Sequence, residues 1–363
     1  MIFSDRGKNH RSRSQRTGRT PCSVFCALFC ALFFLSGCAG TANEAQDSAL
    51  VFIRDRDFAS AVEMIKNDID AGNDTEGMYR LLGIAQMGIG DYSAAAGSFE
   101  TALDRAGMFP GDIDYDINYY LAACYVKMGR QEEAVDIYNA ILEMKSGDAD
   151  GYYLRGAAEM SVGNSEAAEA DFRRVMEMTP TDYDRLIAIY ETCVQYGSRD
   201  LGKSFVAAAL ERESGMSNYD RGRLSYYLED YQTAKNCLES AKGDGSYQTT
   251  LLLGKTYEAL GDMNYASDVY EGFLASDQTH PEIYNQLGLA RLAMGDPQAA
   301  LTAFQTGLKI RDNDIVQTLS FNEIVAYEYI GDFKKAQVLM EAYLKSYPED
   351  ENAKREQVFL SSR

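Results

Sequence analysis

The residues with chemical potential are few, and their spacing does not assemble a reaction. His280 is the only histidine after Cys38, so neither a histidine-activated nucleophile nor a two-histidine metal site can form from that part of the chain. It precedes Pro281, which reads as a solvated turn. Gly254-Lys255-Thr256 has the end of a phosphate loop, but Thr249 stands where that loop needs its first glycine. The tripeptide also falls inside a helical pattern, where backbone amides are already bonded. Asp112-Ile113-Asp114-Tyr115-Asp116 alternates acids as a calcium loop does. Ile117 replaces its glycine and Ala123 its closing glutamate, so a solvated loop between helices is expected. Paired carboxylates could hydrolyse a glycoside, yet no pattern gathers two of them into a pocket. No catalytic residue, metal or cofactor is expected, and the chain reads as a non-enzyme.

One cysteine stands apart from the rest. A basic, serine-rich stretch from Arg6 to Thr20 precedes the apolar run from Cys22 to Leu35, and Ser36-Gly37 leads to Cys38. A basic start, a short apolar run and small residues at the end make a secretory signal peptide. The run is shorter than the roughly 20 residues a membrane-spanning helix needs. Leu35-Ser36-Gly37-Cys38 resembles the bacterial lipobox. That resemblance implies cleavage after Gly37, diacylglycerol on the Cys38 thiol and acylation (palmitate-type) of the new amino terminus. Two or three acyl chains hold a protein stably on a membrane, where one would be marginal. The expected location is the cell envelope, lipid-anchored on the extracytoplasmic side.

Charge narrows the partners. Six basic residues and one acid precede Cys38, which leaves 29 basic against 54 acidic residues after it. Such a surface repels phosphate backbones, so nucleic acid is excluded as a partner. Cys124, Cys193 and Cys237 are odd in number and far apart, which argues against a disulfide framework and for buried thiols.

The elements behind these residues repeat. A glycine, an acidic or polar residue and, three or four positions later, an alanine recur in Gly90-Asp91-Tyr92-Ser93-Ala94-Ala95 and Gly295-Asp296-Pro297-Gln298-Ala299-Ala300, with copies at Gly129, Gly163, Gly197, Gly261 and Gly331. Arg56-Asp57-Phe58 and Glu229-Asp230-Tyr231 are copies without the glycine. The third residue of each copy falls at 58, 92, 131, 165, 199, 231, 263, 297 and 333. Spacings of 34, 39, 34, 34, 32, 32, 34 and 36 follow, with an insertion around 107–111. Leu82-Gly83, Leu253-Gly254 and Leu287-Gly288 recur ahead of the turn, and Phe99, Tyr138, Phe172, Tyr270 and Phe304 recur behind it. Period and side chains together resemble the tetratricopeptide repeat. Small residues let two helices approach, and the aromatic is expected to fill the space between one hairpin and the next. Tyr190 and Gly202 depart from the pattern in the fifth unit.

The resemblance implies an all-α, right-handed solenoid of antiparallel helix pairs, about nine hairpins, with a C-terminal capping helix. The organisation expected is a leader at 1–37, the lipidated cysteine and tether at 38–48, the array at 49–348 and the cap and tail at 349–363. In that family the first helix of each hairpin lines a concave groove. By register the candidate groove residues are Tyr119, Tyr153, Tyr219 and Tyr226 with Arg80, Arg223 and Lys255, flanked by Tyr120, Tyr227 and Tyr329. Tyrosine offers large contact area at low entropic cost. The lysine and asparagine pattern that grips a C-terminal carboxylate in chaperone-binding members is absent. The function expected is a membrane-anchored scaffold holding a protein or extended peptide in envelope assembly. A lipoprotein binding a glycan or small molecule for a transporter or wall enzyme is the alternative.

Overall fold

The computed structural model describes residues 44–107, 111–212 and 215–363. The leader 1–37 and the expected lipidation site Cys38 lie outside the described residues, as do residues 108–110 of the insertion. Among the described residues there are nineteen α-helices and no strand. The chain divides into two compact units, the first ending at Arg199 and the second beginning at Asp200.

The first unit contains α1 (Glu44–Arg54), α2 (Phe58–Asp70), α3 (Glu76–Gly88), α4 (Tyr92–Asp104), α5 (Asp112–Lys127), α6 (Gln131–Met144), α7 (Ala149–Ser161), α8 (Ser165–Met178) and α9 (Tyr183–Gln195). From α1 to α8, each of the first seven helices packs on the next, and first helices of neighbouring hairpins also meet, as in α3 with α5 and α7 with α9. The second unit contains α10 (Arg199–Glu211), α11 (Asn218–Tyr227), α12 (Tyr231–Ala241), α13 (Tyr247–Ala259), α14 (Met263–Leu274), α15 (Pro281–Ala293), α16 (Pro297–Gly307), α17 (Val316–Ile330), α18 (Phe333–Ser346) and α19 (Glu351–Leu360). Here too helices from α11 to α19 pack in sequence, and α13 meets both α11 and α15. Nineteen described helices, packed on their neighbours in chain order within each unit and ending in a terminal helix, match the all-α repeat architecture expected. Because α1 starts at Glu44, helix occupies the second half of the stretch 38–48 that reads from sequence as tether.

One turn design joins the helices of a pair. In the α15–α16 turn, Gly295 has φ +80, and its N–H donates to the Leu292 carbonyl at 3.0 Å. The Asp296 N–H donates to the Arg291 carbonyl at 2.9 Å, so two orphan carbonyls at the end of α15 are satisfied. The Asp296 carboxylate then accepts the Ala299 N–H at 3.0 Å and opens α16, with Pro297 in its first turn. A Gly-Asp dipeptide thus closes one helix and starts the next. Arg56 and Glu229, the two positions without glycine, adopt the same left-handed backbone at φ +61 and +66. That conformation costs an L-residue about 1–2 kcal/mol, and Asp57 and Asp230 still cap α2 and α12.

Packing within a pair depends on absent side chains. A Cβ added at Gly288 would lie 2.3 Å from the Phe304 ring, and one at Gly254 would lie 2.2 Å from Tyr270. The same holds for Gly83 under Phe99 and Gly156 under Phe172. These aromatics therefore seat against the glycine of their own hairpin first, where sequence suggested the space between hairpins. Phe99 also stacks on Tyr120 of the next hairpin, centroids 5.5 Å apart. Ala95, Ala134, Ala266 and Ala300 are sealed beside the rings.

Gly288→Ala should lower stability by about 1–3 kcal/mol, because the ring cannot move aside without losing its contacts. Gly97→Ala is the control, since its new Cβ meets nothing within 4 Å on α4; it should be neutral or slightly stabilising. Urea unfolding of both variants checks this, and equal effects would overturn the close-approach account.

Candidate functional site

The candidate groove residues fall into two groups. In the first unit most are consumed by bonds between neighbouring hairpins. Arg80 on α3 donates from Nε to Asp116 Oδ2 of α5 at 2.6 Å, and its guanidinium lies 5.9 Å from the centre of the Tyr120 ring. Burial raises the Asp116 carboxyl above its ordinary range even though the Arg80 charge opposes this. Tyr119 on α5 donates its hydroxyl to Asp148 Oδ2 at 2.8 Å. Burial and that carboxylate together push the phenol far above its usual value. Asp148 is itself the N-cap of α7, accepting the Asp150 and Gly151 N–H groups.

Tyr153 is not a groove residue. It is 1% exposed, its ring lies 6.2 Å from Phe172, and its hydroxyl meets Thr192 Oγ1 of α9 at 3.3 Å. The reason is register: its position on α7 faces α9, whose Arg185 lies 4.6 Å over the ring. Arg185 also pairs with Asp150. Arg155 behaves similarly, gripping Asp171 with two nitrogens at 2.9 and 2.6 Å and Asn139 at 2.7 Å. Sequence reasoning passed over Asp148, Asp150 and Arg185 and read Asp116 only as one acid of a solvated loop. The available signal was polar partners about one period apart, as in Arg80 with Asp116 and Asp150 with Arg185.

In the second unit the candidates stay half-exposed. Tyr219, Arg223 and Tyr226 occupy one face of α11 at spacings of four and three residues, and Lys255 sits on α13, which packs against α11. Arg223 lies 6.0 Å from the centre of the Tyr219 ring. Tyr226 meets Tyr227 and Tyr231 edge-on at 6.0 and 5.5 Å. Both Tyr219 and Tyr226 pack one side on the core of Ala234, Leu238 and Leu253 and leave the other toward solvent. Of the flanking tyrosines, Tyr120 is buried, Tyr227 half-buried and Tyr329 exposed.

Three sequence readings change in detail. Asp112–Asp116 is the first turn of α5 rather than a loop. Asp114 there is buried and accepts the Gly111 N–H at 2.6 Å. His280 is not loosely solvated: its ring stacks on Tyr247 at 4.2 Å and lies 3.4 Å from Asp277. Gly254-Lys255-Thr256 lies within α13 with Gly254 under Tyr270, as its helical pattern required. Cys124 and Cys193 are buried free thiols, pushed up by burial to about 12 and about 11, and Cys237 is half-buried. Among the described residues no cluster of three or more acidic, cysteine or histidine side chains could hold a metal. No helix among them is long and apolar enough to cross a membrane.

Tyr119→Phe should cost about 1–3 kcal/mol in urea unfolding, since a partly buried hydrogen bond to a carboxylate is lost. A change within about 0.5 kcal/mol, the range of ordinary surface substitutions, would show that Asp148 does not hold the hydroxyl.

Models of the tetratricopeptide repeat match residues 80–149, 149–182 and 281–314. The human "Peptidyl-prolyl cis-trans isomerase FKBP4" is 34% identical over 62 residues, 17% of this chain and 14% of that protein. "Peptidyl-prolyl cis-trans isomerase PASTICCINO1" of Arabidopsis thaliana is 32% identical over 72 residues, 20% of this chain and 11% of that protein. The chain thus spans only a small part of these relatives' length. A tetratricopeptide repeat protein from Parabacteroides merdae aligns over 69% of this chain and 98% of its own, at 15% identity and TM-score 0.45. The human IFIT1 dimer with PPP-AAAA aligns over 86% of this chain and 85% of its own, at 14% identity and TM-score 0.39. The matched repeats fall in both compact units, and their turns and glycine-aromatic contacts are those described above: the chain carries tetratricopeptide repeats.

Proposed function

We propose that the chain is a membrane-anchored adaptor, not an enzyme, which holds a protein or extended peptide on the first helices of its hairpins. The observation that carries this reading is the face of α11. Tyr219, Arg223 and Tyr226 recur there at helical spacing and stay half-exposed, although the repeat buries its own signature aromatics completely. Rigid aromatic side chains with one packed edge and one wet edge suit recognition, because little entropy is lost when a partner covers them. Arginine beside them favours carboxylates or carbonyls of the bound chain. The anchor in this proposal is Cys38, acylated after cleavage at Gly37, and the setting is the extracytoplasmic face of an envelope membrane, where such an adaptor would assist assembly of a complex.

A photo-crosslinking residue placed at Tyr227 in the full chain, expressed in its own host, should capture one defined protein. The variant Tyr219→Ala/Arg223→Ala/Tyr226→Ala should lose that product. Absence of any specific protein, together with a thermal shift on addition of a glycan panel, would replace this reading by the glycan-binding one. Separately, Cys38→Ala should leave the membrane fraction or persist as uncleaved precursor; unchanged processing and detergent partitioning would remove the anchor from the proposal.

A further inference from the structure

The last helix carries an arrangement that the repeat does not require. α19 closes the second unit by laying Ala353 and Leu360 against Ile324 of α17 and Ala336, Met340 and Tyr343 of α18. Asp350, its N-cap, accepts the Tyr343 hydroxyl at 2.6 Å. At this seam two carboxyl side chains meet, Glu328 of α17 and Glu356 of α19. Oε1 of Glu328 is sealed from solvent and receives no hydrogen bond. Two ionised carboxylates have no donor between them, so such a contact is a hydrogen bond only while one of them keeps a proton.

The charged groups of the packed elements are exposed or engaged elsewhere. On α17, Glu323 is turned to Gln305, which donates to it at 2.8 Å. On α18, Lys334, Lys335 and Lys345 are solvent-exposed, along with the acid Glu341. On α19, Lys354 is paired with Glu351 at 2.7 Å, and Arg355 is exposed. Beyond it, Arg363 lies over the rings of Phe333 and Phe359 at 5.7 and 4.8 Å.

We infer that α19 is a proton-operated latch: it docks on α17 and α18 while Glu328 and Glu356 share one proton, and it loosens when that proton leaves. Burial first, and then the neighbouring Glu356, push Glu328 from the ordinary 4.5 up to about 8. The docked state therefore binds more protons than the undocked one. Its advantage is complete below the ordinary carboxylate value and is lost as pH rises through about 8. Undocking uncovers the apolar face of Ile324, Met340 and Tyr343, the kind of surface on which the next helix of the array packs elsewhere.

Hydrogen–deuterium exchange of the full chain, corrected for intrinsic rates, tests the latch at about pH 6 and about pH 9. Amides of residues 351–360 should lose at least about tenfold in protection between the two conditions while those of α18 hold. Glu328→Gln and Glu356→Gln, which supply a donor without a proton to lose, should each abolish that loss. Wild-type α19 protection that does not change with pH would overturn the latch, as would an equal loss in both glutamine variants.

Discussion

Two helices lie as close as α15 and α16 only where one of them has no side chain at the contact. At Gly288 and Gly254 the ring of the partner helix occupies the volume a Cβ would take, and the rest of the hairpin follows from that approach. The ring is wholly enclosed, which stabilises by roughly 1.5–3 kcal/mol for each such side chain. Its far edge then reaches the following helix, as Phe99 does on Tyr120. One close contact inside a hairpin therefore creates the surface on which the next hairpin packs. A repeat array has no central core to fall back on, so its stability is the sum of these local contacts and the seams between them.

The turn sets where the contact falls. Left-handed backbone at a single residue reverses the chain, and the aspartate after it fixes the first turn of the second helix. Shifting either by one residue would rotate the aromatic off its glycine. Arg56 and Glu229 show how strongly this geometry is imposed, since both take the left-handed conformation without glycine's freedom. Asp57 and Asp230 keep the cap in both places, so the aspartate holds the start of the second helix where the glycine is missing.

Helix pairs, turns, sealed alanines and the terminal helix were legible in the sequence because each depends on residues a few positions apart. The aromatic positions were legible too, though their first partner was not: sequence gives the spacing of Phe304 but not that its ring points at Gly288 rather than outward. Site residues fared worse for a related reason. Tyr119 and Tyr153 occupy equivalent places in successive hairpins, yet one is half-buried against Asp148 and the other sealed against Thr192. What separates them is the identity of a partner about one repeat away, which a single-repeat pattern does not weigh. Asp112–Asp116 was misread as a loop because its acids suggested solvent, whereas Asp114 is spent on capping its own helix.

The first helices of the hairpins thus serve two demands with the same positions. A polar side chain there can tie its hairpin to the next, as Arg80 and Arg185 do through aspartates, or it can remain at the surface to meet a ligand. Links of the first kind fix neighbouring hairpins in one relation and remove those groups from recognition. In the first unit the links run from α3 to α5, from α5 to α7 and from α7 to α9. On the α11 stripe Tyr219 and Tyr226 rest on apolar residues of their own and the following hairpin and keep part of each ring at the surface. Aromatic residues that packing holds partly at the surface are therefore the ones to follow when looking for the binding surface of such an array.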